Sequence, residues 1–408
     1  MTDDSTPVTE RWGDECRVSL RSTAELADAL PYLMGFHPDD SIVLVALHGS
    51  RGRFGGRIRF GIPENPAEWP TVARHLAADL AATGTARGGT PDAALVYLCQ
   101  DPSPGHTGRH VRERLRPLAE HLRAACDRLG MPAREALCIS GGRYWSYCCP
   151  DDRCCPEDGG ELPLPGTSAM AAAAVWAGIH VQGSLTDMER RLEPLGPPVA
   201  ARQERALDKA ALALVPRVCA AGERERLRKE VLVLAGRLLD RFRAAPPAGA
   251  RSCLPGGRDG RPQEASPWAE RVAGEDSRDD QLLSEEEAAT LVIGLQDHVT
   301  RDQAAEWMEG DVAPAALRLW RAVARRCVGA YREHAAAPLA LAGWVAWSLG
   351  DEAGGRVALG RALRTDPDYL FARLLHQACN AGLDPERLRQ CLREERAQRI
   401  GLATDALP

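Results

Sequence analysis

Two hydrophobic patterns divide this chain, and the change between them falls near residue 165. Before that point, residues 41–47 (SIVLVAL) and 93–99 (AALVYLC) are continuous apolar runs rich in β-branched residues, the pattern of strands buried on both faces. Residues 53–62 alternate like a hairpin partner behind the tight reversal at Gly49-Ser50-Arg51-Gly52. Ser22-Thr23-Ala24-Glu25 has capping-box spacing and opens a helix to about Leu33. Residues 66–82 and 108–129 carry a helical period, the second lightly broken at Pro117. Residues 137–147 place Gly141-Gly142 between two short strand runs, as in a hairpin. This order predicts an α/β domain with a mixed sheet of about five or six strands.

After Pro165 the pattern is helical, over 167–178, 202–215 and 223–244. Residues 246–281 are rich in Pro, Gly, Arg, Asp and Ser and read as a flexible linker or insert. A second capping box, Ser284-Glu285-Glu286-Glu287, starts the last domain. Within it, residues 339–349 followed by Gly350-Asp351, Ala353, Ala362-Leu363 and Asp366-Pro367 have the spacing of a tetratricopeptide hairpin, and 369–381 resemble the opening of another. That resemblance covers one and a half units, with Trp344 and Trp347 as packing residues. The expected organisation is a disordered tail (1–15), an α/β domain (16–165), a helical extension (166–245), the linker (246–281) and an all-α, partly tetratricopeptide-like domain (282–408).

Composition narrows the function classes. At 408 residues and 44.1 kDa the chain suggests more than one domain. A net charge of −6 offers no basis for a nucleic-acid partner. Lys209 and Lys229 are the only lysines, which reflects a GC-rich coding bias rather than a binding surface. The acidic start lacks the basic and apolar regions of a secretory signal. No apolar run approaches the ~20 residues of a membrane helix, so a cytoplasmic protein is expected.

Chemistry concentrates at Tyr147-Cys148-Cys149-Pro150-Asp151-Asp152-Arg153-Cys154-Cys155-Pro156, where four of the thirteen cysteines lie close together. Three readings are open. A metal site would take Cys149 and Cys154 with Cys155 or Cys148, zinc being the candidate cofactor and His37, His48 or His106 the candidate fourth ligand. A redox element would join Cys149 to Cys154. Structural thiols in a compact turn need neither, and a reducing compartment favours that reading. For acid–base chemistry, His37 beside Asp39 has the ingredients of an oriented base, although Gly35-Phe36-His37-Pro38-Asp39-Asp40 is equally good turn chemistry. Asp101 and His106 follow the strand ending at Cys99 and lead into a helix, where open α/β sheets place ligands; Arg109 and His110 add positive charge. The common catalytic motifs are absent.

Three stretches taken together, Leu20-Arg21-Ser22-Thr23-Ala24-Glu25-Leu26, Leu30-Pro31-Tyr32-Leu33-Met34-Gly35-Phe36-His37-Pro38-Asp39-Asp40-Ser41 and the cysteine run, resemble an actinobacterial family catalogued as a domain of unknown function. Arg301-Asp302, residues 344–351 and Asp366-Pro367-Asp368-Tyr369 fit its C-terminal pattern. The resemblance implies an actinobacterial, cytoplasmic protein and brings no activity. The leading expectation is a non-enzymatic binding, regulatory or scaffold protein that engages a protein partner through 282–408. Its alternatives are an enzyme, such as a hydrolase, with a site at the strand ends (His37, Asp39, Asp101, His106), or a zinc or redox thiol protein (Cys148, Cys149, Cys154, Cys155).

Overall fold

The computed structural model describes residues 8–12, 16–20, 22–86, 89–149, 155–164, 166–177, 181–220, 222–245 and 267–405. The chain forms two compact units, Met1–Ser184 and Leu185–Pro408. The first is α/β with a mixed sheet and the second is all-helical, as the periodicity predicts. No helix among the described residues is long and apolar enough to cross a membrane.

In the first unit the elements run β1 (Val8–Trp12), β2 (Cys16–Leu20), α1 (Thr23–Met34), β3 (Phe36–His37), β4 (Ser41–His48), β5 (Arg53–Gly61), α2 (Trp69–Ala86), β6 (Ala93–Cys99) and α3 (Gly108–Arg128). They continue with β7 (Ala133–Ser140), β8 (Arg143–Ser146), β9 (Gly160–Glu161), α4 (Ala169–Trp176) and β10 (Gln182–Ser184). The sheet has eight strands in the order β2-β1-β5-β4-β6-β7-β8-β9. Strand β4 is antiparallel to both β5 and β6, and β6 is parallel to β7.

Helices cover both faces of the sheet, which is why β4 is buried along nearly its whole length. Ile42, Leu44 and Ala46 pack with Leu76 and Leu80 of α2 and Leu115 and Leu122 of α3. Val43, Val45 and Leu47 pack with Leu30 and Leu33 of α1 and Met170 of α4. Between β7 and β8, Gly141 (φ 59°) and Gly142 (φ 74°) are both left-handed, the backbone a two-residue hairpin turn requires.

Two boundaries of the expected organisation are corrected here. Residues 8–12, read as part of a disordered tail, form β1 and pair antiparallel with β2, while 1–7 and 13–15 lie outside the described residues. The first unit runs past 165 to Ser184, because β10 pairs with β3 and α4 joins the core beneath α1.

The second unit comprises α5 (Leu185–Arg190), α6 (Val199–Cys219), α7 (Glu223–Ala244), α8 (Pro267–Gln281), α9 (Glu285–Gly294) and α10 (His298–Ala304). It continues with α11 (Ala313–Arg325), α12 (Ala336–Ser348), α13 (Glu352–Thr365), α14 (Leu370–Asn380) and α15 (Glu386–Asp405). All thirteen residues of α12 are buried, so it is the central helix. Its Gly343 leaves room for Leu359 of α13, and Gly355 of α13 leaves room for Trp347. Arg301 of α10 lies over the rings of Tyr369 and Phe371, 5.6 and 4.6 Å from their centres.

Within the segment read as a linker, 246–266 lie outside the described residues and 267–281 are the helix α8. Composition is misleading here because α8 docks by charge. Only Ala269 and Val272 join Asp276 and Asp279 on its buried side. Asp276 receives two hydrogen bonds from Arg191 at 2.9 and 3.0 Å, and Asp279 and Asp280 are held by Arg318 and Arg325 of α11. Arg326 donates to the carbonyls of Asp280 and Leu283 at 2.7 Å.

The capping box expected at Ser284 is present: Glu287 N–H donates to Ser284 Oγ, and Ser284 N–H to Glu287 Oε2. Arg241 also grips the Glu287 carboxylate through two 2.9 Å hydrogen bonds. Chiefly through Arg241, its pKa lies below the ordinary 4.5. A carboxyl with a depressed folded pKa contributes stability above its unfolded value and loses it as pH falls through the folded one. Denaturant midpoints taken from about pH 6 to about pH 3 should therefore fall less steeply in Glu287→Gln than in the wild type. Parallel curves would show that Glu287 carries none of the acid sensitivity.

Candidate functional site

Sheet register decides which sequence-derived candidates can meet. Ser41 of β4 is opposite Cys99 of β6, which in turn neighbours Ile139 of β7. The start of β4 and the ends of β6 and β7 therefore share one end of the sheet, and the loops 35–40 and 100–107 gather there. They are bridged by Gln100 Nε2, which donates to Asp40 Oδ1 at 2.8 Å; Arg114 of α3 donates to the same Gln100 side chain. Asp101 Oδ1 accepts the Gly141 N–H at 2.8 Å, and Ser41 Oγ donates to the Asp39 carbonyl while accepting from Arg59 Nε. Asp40 has φ 41°, a left-handed position that aspartate tolerates, and its carbonyl accepts the Ile62 N–H.

These contacts are those of interlocked turns. Asp101 is engaged by a hairpin N–H, and Asp39 and Asp101 add to the burial that pushes the Cys99 thiol pKa up. His37 keeps much of its surface exposed, yet desolvation by the surrounding chain lowers its pKa. Among the described residues no hydrogen bond joins His37 to Asp39 or His106 to Asp101. His106 meets His110 edge-on at 5.4 Å, and His110 Nδ1 accepts the Thr107 N–H at the start of α3.

The thiols follow β8. Ser146 Oγ donates to Glu135 Oε1 at 2.7 Å and accepts the N–H groups of Cys148 and Cys149 at 3.0 and 2.9 Å, folding the chain into a turn. Burial, reinforced by Glu135, pushes the Cys148 pKa up to about 11, so it is a thiol rather than a thiolate at neutral pH. Cys149 and Cys155 are half-buried, and Cys154 lies outside the described residues. Among the described residues, no three His, Cys, Asp or Glu side chains gather as a metal site.

A recess of about 1040 Å³ lies in the helical unit and has no motif in the sequence to mark it. Its wall is the segment 192–197 with the start of α6; its opposite side is the turn 328–335, and α13 closes it with Arg361 and Thr365. Two anchors hold that wall: Leu195 N–H donates to the Arg325 carbonyl, and Arg325 Nη1 to the Arg191 carbonyl, both at 2.8 Å. Two carboxylates one turn apart on α6 hold the opposite side. Glu204 accepts the Ala330 N–H at 3.2 Å, and Asp208 the Tyr331 hydroxyl at 3.0 Å. Gly329, with φ 56°, is required there, because any side chain would collide with the Glu204 carboxylate. The Pro194-Leu195-Gly196-Pro197-Pro198 run and Gly329 were the available signals, but neither specifies a recess without its distant partner.

A family model described as Domain of unknown function (DUF4192) matches residues 24–386, a span that includes both the sheet-end loops and the helical recess. No curated protein and no solved structure matches the chain.

Proposed function

Because the chain belongs to that family, whose description assigns no activity, we propose from the geometry that it is a non-enzymatic binding protein. Its helical unit receives a protein partner. The observation that carries this reading is the recess: a large, open, half-apolar groove whose two sides are pinned by Glu204, Asp208 and Arg325. A groove held open by the fold suits binding, since little ordering remains to oppose association. The tetratricopeptide-like character of α12 and α13 fits this role, with residues 282–408 supplying one side and 192–204 the other.

The competing reading is an enzyme at the sheet end. The joining of loops 35–40 and 100–107 through Asp40 and Gln100 favours it. It is the weaker of the two, because the Asp40 and Asp101 carboxylates bond to Gln100 and to the Gly141 N–H, and among the described residues no histidine there is hydrogen-bonded to a carboxylate. A zinc or redox role for the cysteine turn is compatible with either.

Affinity purification of full-length protein from its own cells, beside an Arg361→Glu variant, separates these readings. A partner recovered with the wild type and depleted at least about tenfold with the variant supports groove binding. The same partners in equal yield from both would overturn it.

A further inference from the structure

We infer that the groove takes an extended peptide segment carrying charges of both signs, an inference that rests on the binding role proposed above. Size is the first argument. About 1040 Å³ stands at the upper end of the roughly 300–1,000 Å³ typical of small-ligand pockets. A second recess of about 360 Å³, lined by Gln296, His334 and Asp366, shares Glu333 and Thr365 with the first. Two recesses with a common wall suit a segment of chain better than a compact metabolite.

Charge is the second argument. Glu193, Arg332, Glu333 and Arg361 line the larger recess, and none has an ion-pair or hydrogen-bond partner for its side chain among the described residues. With Glu204, whose carboxylate accepts a backbone N–H, the lining carries three carboxylates and two guanidinium groups, so a ligand of either single sign would meet repulsion as well as attraction. A segment with an acidic and a basic side chain places each beside groups of opposite sign, and like-charged competitors are disfavoured by the same residues. The buried Leu192, Val328 and Leu339 supply an apolar floor between them.

The test is panning of a random short-peptide phage library on the full-length protein, in parallel with an Arg332→Glu, Arg361→Glu variant. Both arginines lie at the groove surface, and matching circular dichroism and thermal midpoints would establish that the variant is folded. Enriched peptides should carry an acidic and a basic residue separated by apolar positions, and the variant should retain them at least about tenfold less. Enrichment without charge bias, equal retention by the variant, or no enrichment would each overturn the inference. The wider binding role fails separately: a partner that still cross-links to the groove while the peptides show no charge bias leaves that role standing and removes only the ligand class.

Discussion

Trp344→Ala is expected to destabilise the helical unit by roughly 3–5 kcal/mol, the range for deleting a large aromatic from a packed core. Trp344 is 1% exposed and sits on α12, the helix surrounded on all sides. Its Nε1–H donates to the Ala305 carbonyl at 2.9 Å, and its ring meets Trp347 edge-on at 5.7 Å. Truncation leaves a cavity and an unsatisfied buried carbonyl together, and both terms act in the same direction. Leu212→Ala is the control: Leu212 is 80% exposed on α6, and its change should fall within about 0.5 kcal/mol. Urea unfolding followed at the helical circular-dichroism band measures both. A Trp344 variant as stable as the Leu212 variant would contradict the placement of the core.

Arg325→Met should have an effect of similar size, roughly 3–5 kcal/mol, through electrostatics. The Arg325 side chain is 5% exposed. It donates to Asp280 Oδ1 at 2.9 Å and to the carbonyls of Arg191 and Asp276 at 2.8 and 3.2 Å. Removing it strands a half-buried carboxylate and two carbonyls, while the thioether keeps most of the packing volume. Asp280 is already pushed to a higher pKa by burial, against the pull of Arg325 and, after it, Arg326, so its ionised form depends chiefly on Arg325. The double variant Arg325→Met, Asp280→Leu should recover part of the loss, because a buried pair contributes little net and its single removal is what is costly. Unfolding midpoints of the two single variants and the double close the cycle. Additive losses would contradict the pairing of α8 with α11.

The readable and unreadable parts of the fold separate along physical lines. The 41–47 run and both capping boxes are local: their periods and spacings are the interactions that form β4, α1 and α9. Helix α8 is not, since its stability depends on arginines about forty residues downstream in α11 and on Arg191 well upstream. The sheet end shows both cases at once. His37, Asp39, Asp101 and His106 were legible as polar residues in loops, but only the register of β4 against β6 brings those loops together. Hydrogen bonding then engages the Asp40 and Asp101 carboxylates with Gln100 and the Gly141 N–H rather than with the histidines. The groove was least legible, because its walls come from 192–204, 324–339 and 361–365 and meet only after α6, α11 and α13 pack.

Site-specific photo-cross-linking tests the binding role most directly. A photoreactive residue at Ala201, on the groove wall, is compared in the full-length protein with one at Lys229, on the exposed surface of α7. One recurrent protein adduct is expected at Ala201, absent at Lys229 and lost when Arg361→Glu is added. Adducts of equal yield and identity at both positions, or an Ala201 adduct indifferent to Arg361, would contradict the binding role.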